Sequence, residues 1–372
     1  MAVRGLHWDE RPAHLLPRGA LARIDLLRAA AVGALLIDPA GAADIQAQHL
    51  LLSLQTGEPR RIGRAIAVEA ALAAELDAGG VRAHATLTAA RELVDRLGDR
   101  ETVELVEFVE LRDATLRGDF AATLARADAL TAANADRALP HARHVVHAHA
   151  LSALLELGRL PQLAERLPSR LAEALEADDR SALVTLHGLD LWVRLARDDL
   201  SGARESLAAS ERAWPDPAAH GAPEPQRQQS HARAVFHLYA GHPALALKAL
   251  QVGPGVLHTH PARAPSQALA ARVHVAAWRQ QPGDAALRRT ATRAVDDLQA
   301  LGEVAAAAML RASLHPESAE HLLRGAAETF ATRGQALHHA VALLRLRDPA
   351  GTAALRALGV VDPDRYAGLL AP

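Results

Sequence analysis

Leu195-Ala196-Arg197-Asp198-Asp199-Leu200-Ser201-Gly202-Ala203 is the stretch on which the fold turns. A helix-patterned apolar run stops at Asp198-Asp199, and another starts at Leu200. Equivalent breaks stand at Gly118-Asp119-Phe120, Gly158-Arg159-Leu160 and Gly241-His242-Pro243, at successive spacings of 40, 40 and 43 residues. Gln281-Pro282-Gly283 continues the series. Each break ends one helix and begins the next. A period near 40 with two helices per period is the signature of a helical solenoid, in which a unit cannot bury its apolar face alone and must stack on its neighbours.

Working outward, apolar residues recur at i, i+3 and i+4 almost from end to end. Leu21, Ile24 and Leu27 make a first stripe, and Ile45, His49, Leu50, Leu52 and Leu54 carry a second segment. Further helical segments are predicted at 59–78, 80–97, 101–117, 120–135, 140–157, 161–177, 180–197, 200–213, 226–240, 243–251, 265–280, 284–301, 303–313, 316–333 and 335–347. Half of the residues are hydrophobic, while aromatics make up only 3%. Ala and Leu dominate, and both are strong helix formers. No segment has the β-branched and aromatic content that strands prefer. The predicted fold is therefore all-α, a right-handed α-α superhelix of two-helix repeats over residues 19–372. Residues 1–18 form a lead-in. Two proline-rich stretches, near 214–226 and 253–265, read as loop insertions.

Composition also excludes function classes. The 372 residues hold 41 basic and 43 acidic side chains, interleaved along the chain, so neither a basic excess nor a basic stripe points to nucleic acid. The absence of cysteine removes disulfides, thiolate metal sites and cysteine nucleophiles. No run is apolar and long enough to suggest a membrane span, and the first residues lack a signal-peptide core. A cytoplasmic chain is expected. Lys248 is the only lysine, and it sits in Ala-Leu-Ala-Leu-Lys-Ala-Leu with no glycine-rich loop before it. A P-loop needs Gly-rich backbone followed by Lys and a hydroxyl residue, and a kinase needs a strand lysine with catalytic-loop and metal-binding aspartates. Neither set exists here, and no Gly-x-Ser-x-Gly elbow does either. No cofactor is predicted.

The turn pattern resembles a degenerate tetratricopeptide repeat, with Ala203 and Ala246 at that family's small-residue position and Thr123 and Leu163 departing from it. A wider resemblance is carried by Arg23-Ile24-Asp25, by Ile37-Asp38-Pro39-Ala40-Gly41-Ala42-Ala43-Asp44-Ile45-Gln46 running on to Leu52, and by Gly57-Glu58-Pro59. The end of the chain, Asp362-Pro363-Asp364-Arg365-Tyr366 to Pro372, extends it. These stretches look like the C-terminal helical-repeat region of large bacterial eukaryotic-like serine/threonine protein kinases, in which a kinase domain and an ATPase module precede a repeat tail. The resemblance implies a non-catalytic scaffold in bacterial signalling. Its partner would be a protein or peptide, such as a kinase or ATPase.

Candidate sites follow from the repeat. Aligning the turns places Arg112, Ser152, Trp192 and His231 on the helix that faces the concave groove. Trp and Arg are favoured interface anchors. A ligand-sensing module that binds a small molecule in the same groove is the alternative. Among the 20 histidines, His141, His144, His147 and His149 share one helix. They read as a solvated or groove-lining face with some His–carboxylate pairs, since no third ligand completes a metal set. His258 with His260, His315 with His321, and His338 with His339 are weaker candidates still. Glu101, Glu104, Glu107 and Glu110 read as a charged helix face.

Overall fold

The computed structural model describes residues 7–34, 39–76, 81–133, 140–216, 223–250 and 260–372. Nineteen α-helices occupy them, and no strand occurs among the described residues. They are α1 (Arg18–Ala34), α2 (Pro39–Thr56), α3 (Pro59–Leu76), α4 (Val81–Leu97), α5 (Arg100–Leu116), α6 (Phe120–Ala133), α7 (Pro140–Glu156), α8 (Leu160–Glu176), α9 (Arg180–Ala196) and α10 (Leu200–Ala213). Then come α11 (Pro223–Tyr239), α12 (Pro243–Leu250), α13 (His260–Gln280), α14 (Ala285–Ala300), α15 (Val304–Leu314), α16 (Ala319–Thr332), α17 (Ala336–Arg345), α18 (Pro349–Ala357) and α19 (Pro363–Leu370).

The repeating breaks have one backbone cause. Gly118, Gly158, Asp198 and Gly241 all adopt left-handed φ, at 70°, 74°, 56° and 80°. A single left-handed residue after a helix ends it and turns the chain back, and glycine does so at least cost. Asp198 does the same job without being glycine. Asp199 next to it caps α10, its carboxylate accepting from the Gly202 N–H at 2.8 Å. The positions equivalent to the tetratricopeptide small residue are equally buried whatever their size, with Thr123, Leu163, Ala203 and Ala246 all at 0% exposure. Gln281-Pro282-Gly283 turns differently. Gln281 N–H bonds to Trp278 O, and Asp284 caps α14.

The chain forms two compact units, one of residues 1–118 with 128–133 and one of residues 119–127 with 134–372. In the first, α3 packs against α1, α2, α4 and α5. Its face of Ile62, Ala65, Ile66 and Ala70 is fully buried with Leu93, Val94 and Val106. Residues of the lead-in lie on this unit: Trp8 packs against its core, and Arg11 N–H donates to Gly57 O at 2.8 Å. Glu101, Glu104 and Glu110 are ion-paired, to Arg64 (2.8 Å), Arg100 (2.8 Å) and Arg91 (2.7 Å).

In the second unit α7, α9, α11, α13 and α15 pack side by side as an inner row, and each pairs with the following helix. The row curls until α17 reaches the turn that follows α7. A Cβ added to Gly158, in the turn after α7, would lie 2.6 Å from the Leu337 backbone nitrogen. The proline-rich stretches are shorter than a loop reading gives. α11 already starts at Pro223 and α13 at His260; Pro223 and Pro261 sit in a first turn, where proline is tolerated, while Pro265 lies inside α13. Residues 217–222 and 251–259, including His258, lie outside the described residues. Two helices, α18 and α19, follow the last one predicted from periodicity.

Gly158 and Gly302 give a clean comparison. Both have positive φ, but nothing lies within 4 Å of a Cβ on Gly302. Gly302→Ala should cost about 1–2 kcal/mol, the left-handed penalty alone. Gly158→Ala should cost clearly more, because backbone must also move. Chemical denaturation of the two variants side by side measures the difference.

Candidate functional site

The C-terminal helix organises the inner side of the second unit. Pro363 opens α19, and the Asp362 carboxylate caps it by accepting from Arg365 N–H at 3.0 Å. Pro363, Tyr366, Ala367 and Leu370 form one buried stripe, and the helix lies against α11 and α17. Tyr366 is fully buried. Its ring meets Trp192 and Tyr239 edge-on, each at 6.4 Å between centroids, a geometry that aromatic quadrupoles favour.

Arg365 pins the helix from its other side. Its guanidinium sits 4.6 Å over the Tyr239 ring. It donates to Asp198 Oδ1 at 2.8 Å and to Tyr239 O at 3.3 Å. Tyr239 O–H donates to the same Asp198 oxygen at 2.8 Å. Burial, and then this bond to a carboxylate, push the Tyr239 pKa up. The left-handed turn residue Asp198 thus also receives the C-terminal helix. Further ties hold the segment: Val361 N–H to Ala196 O (2.8 Å), Arg345 Nε–H to Ala371 O (2.8 Å) and Ser313 O–H to Pro372 O (2.7 Å).

Behind Tyr366 the interior is polar. Arg272 of α13 contacts His338 Nε2 of α17 at 3.5 Å, and Phe330 packs on the His338 ring at 5.1 Å. Burial lowers the Arg272 pKa against the pull of Glu156, Tyr366 and Glu303. Burial raises Glu156 to about 6, opposed by Arg272. His338 falls to about 3 through burial and then the Arg272 charge.

The four groove candidates are distributed as follows. Arg112, on α5, belongs to the first unit and is half-buried. Ser152, Trp192 and His231 are half-buried on consecutive inner helices of the second. Trp192 meets Tyr366. His231 Nδ1 accepts from Arg227 at 3.3 Å, and burial followed by that cation lowers its pKa to about 3. The histidines of α7 were expected on a solvated or groove-lining face, but two of them are buried. His144 Nδ1 lies 3.0 Å from Asp179, which also caps α9. His147 Nε2 accepts from Arg170 at 3.0 Å, and burial lowers its pKa to about 4. The side chain of His141 lies outside the described residues. Among the described residues no three His, Cys, Asp or Glu side chains could together hold a metal ion. No described helix is long and apolar enough to cross a membrane.

Nothing local in the sequence singled out Arg272 or Glu156, while His338 stood out only as one of an adjacent histidine pair. Tyr239 and Tyr366 did carry a signal, since they are the only two tyrosines in the chain and they meet. No protein-family model matches this chain, and no curated protein does either.

Two predictions follow from these contacts. Arg365→Ala removes the ion pair, the ring contact and the carbonyl bond together, so amide exchange across 363–370 should accelerate while that of α8 stays unchanged. The pH dependence has a definite sign. His147, His231 and His338 have folded pKa values below the unfolded 6.5, so unfolding takes up protons and stability falls as pH drops from 6.5 toward 4. Glu156, raised to about 6, acts oppositely between 4.5 and 6. The second unit should therefore take up at least about two protons on unfolding at pH 5, since the lowered pKa values of His187, His237 and His274 act in the same direction, readable from the slope of stability against pH.

Proposed function

We propose that this chain is a non-catalytic helical-repeat scaffold of bacterial signalling. In this reading it is a cytoplasmic counterpart of the repeat tail of a multidomain serine/threonine kinase, working through a protein partner. One observation carries the reading. The inner row of the second unit holds a helix, α19, through an aromatic pair, an arginine anchor and an apolar stripe. That is the chemistry by which helical arrays recognise helical segments of proteins: an amphipathic helix laid on an apolar face with a few aromatic and Arg hot spots. The sequence resemblance to kinase tails supplies the signalling context, and the absence of a P-loop lysine or kinase motif supplies the non-catalytic part.

Tagged at native level in its bacterial host, the chain should co-purify with a serine/threonine kinase or a signalling ATPase. The purified chain should transfer no phosphate from Mg-ATP. Repeated recovery without any signalling protein, or phosphoryl transfer by the chain alone, would overturn the reading.

A further inference from the structure

Four turns of the second unit meet along one rim, and each carries an exposed arginine. The turns are 157–161, 196–199, 333–335 and 356–362, at the ends of α7, α9, α16 and α18. Each contains one left-handed residue, Gly158, Asp198, Gly334 or Gly359. Contacts join them into a row. A Cβ on Gly334 would lie 3.8 Å from Leu157 Cδ2, and one on Gly359 would lie 4.0 Å from Pro161 Cγ. Val361 N–H donates to Ala196 O at 2.8 Å. Arg333, Arg159, Arg356 and Arg197 are thereby gathered from distant parts of the chain. All four are exposed, and among the described residues none is in an ion pair. The carboxylates of the same turns are engaged within the chain. Asp198 holds Arg365 and Tyr239, Asp199 holds Arg194 and the Gly202 N–H, and Asp362 caps α19. Asp364, in the first turn of α19, adds one exposed carboxylate beside them. The whole chain has a formal net charge of −2, so the rim is a local concentration of positive charge. A helix C-terminus favours a cation, which accounts for Arg197, Arg333 and Arg356 taken singly. It does not account for Arg159, which stands at the N-cap of α8, where the dipole disfavours a cation, and which caps nothing. Two apolar side chains are exposed on the same row, Val361 at 64% and Pro161.

We propose that this rim docks an acidic segment of a protein partner, with carboxylates on the arginines and an apolar side chain against Val361. The planar fork of arginine matches a carboxylate in two parallel bonds. Arginines around an exposed apolar spot match the make-up of protein interfaces, whereas a phosphate backbone has no use for the apolar spot. The docking rests on the reading of the chain as a protein-binding scaffold, but it uses side chains other than those that hold α19.

The test titrates the full chain into a fluorescein-labelled peptide of repeated Asp-Glu-Leu units, read by anisotropy. A peptide of repeated Asn-Gln-Leu units and a single-stranded oligodeoxynucleotide serve as comparisons. The acidic peptide should bind saturably at about 50 mM salt and weaken by about 300 mM, because exposed charges are screened. The neutral peptide should not bind. Arg159→Glu combined with Arg333→Glu should weaken binding about tenfold, the scale of two exposed ion pairs turned repulsive, with the melting temperature held. Arg288→Glu combined with Arg289→Glu makes the same change of charge on the exposed side of α14, and it should leave binding nearly unchanged. If the first double variant fails to fold, Arg159→Ala decides, with a loss of a few fold expected. The proposal falls if the acidic peptide does not bind at low salt, if the rim variant binds like the parent, if both double variants lose binding equally, or if the oligonucleotide binds more tightly than the peptide. No kinase or ATPase enters this assay, so its failure is distinct from a failed co-purification.

Discussion

The docking of Tyr366 between Trp192 and Tyr239 is the contact on which the second unit's inner side depends. A hairpin of two amphipathic helices buries the seam between them, but its inner face is covered only in part by the next hairpin. Two features complete the cover. The row curls until the Leu337 backbone meets Gly158, and α19 lies against α11 and α17. A buried tyrosine is worth several kcal/mol against alanine, so an eight-residue helix too short to persist alone is held in place by its surroundings.

The curl has a cost in polar burial. Arginine and histidine side chains that a flatter array would leave in water are drawn inward, and their chemistry adjusts. Three second-unit histidines whose pKa values fall, His147 and His338 buried and His231 half-buried, stay neutral by accepting from arginines, His147 from Arg170, His231 from Arg227 and His338 from Arg272. Neutral imidazole is cheaper to bury than imidazolium, and an adjacent guanidinium reinforces that choice. The first unit solves the same problem differently. Its buried His49 bonds through Nδ1 to the Gln46 carbonyl oxygen, and Gln46 in turn donates to Ala65 O. Burial there lowers the His49 pKa to about 4.

Much of the fold was legible because its causes are local. The breaks at Gly118, Gly158, Asp198 and Gly241 depend on one residue's φ and its place after an apolar run, and both are written in sequence. The misread parts share a reason as well. Pro223 and Pro261 fall in the first turn of their helices, where proline is tolerated, and Pro265 lies inside α13, held there against its helix-breaking tendency. α18 and α19, of nine and eight residues, are too short for a helical period to stand out.

The sequence by itself determined the helices, their hairpin pairing and the rhythm of the turns, because hydrogen bonds and apolar periodicity act within a few residues. It also supplied the rarity of tyrosine. Only the tertiary structure decided what the inner face meets. Trp192 is separated by 174 residues from Tyr366, and Arg272 by 66 from His338. Nothing in the local pattern of either helix encodes such a distance. The number of stacked hairpins and their curvature set it, and those emerge only when every repeat buries its face at once.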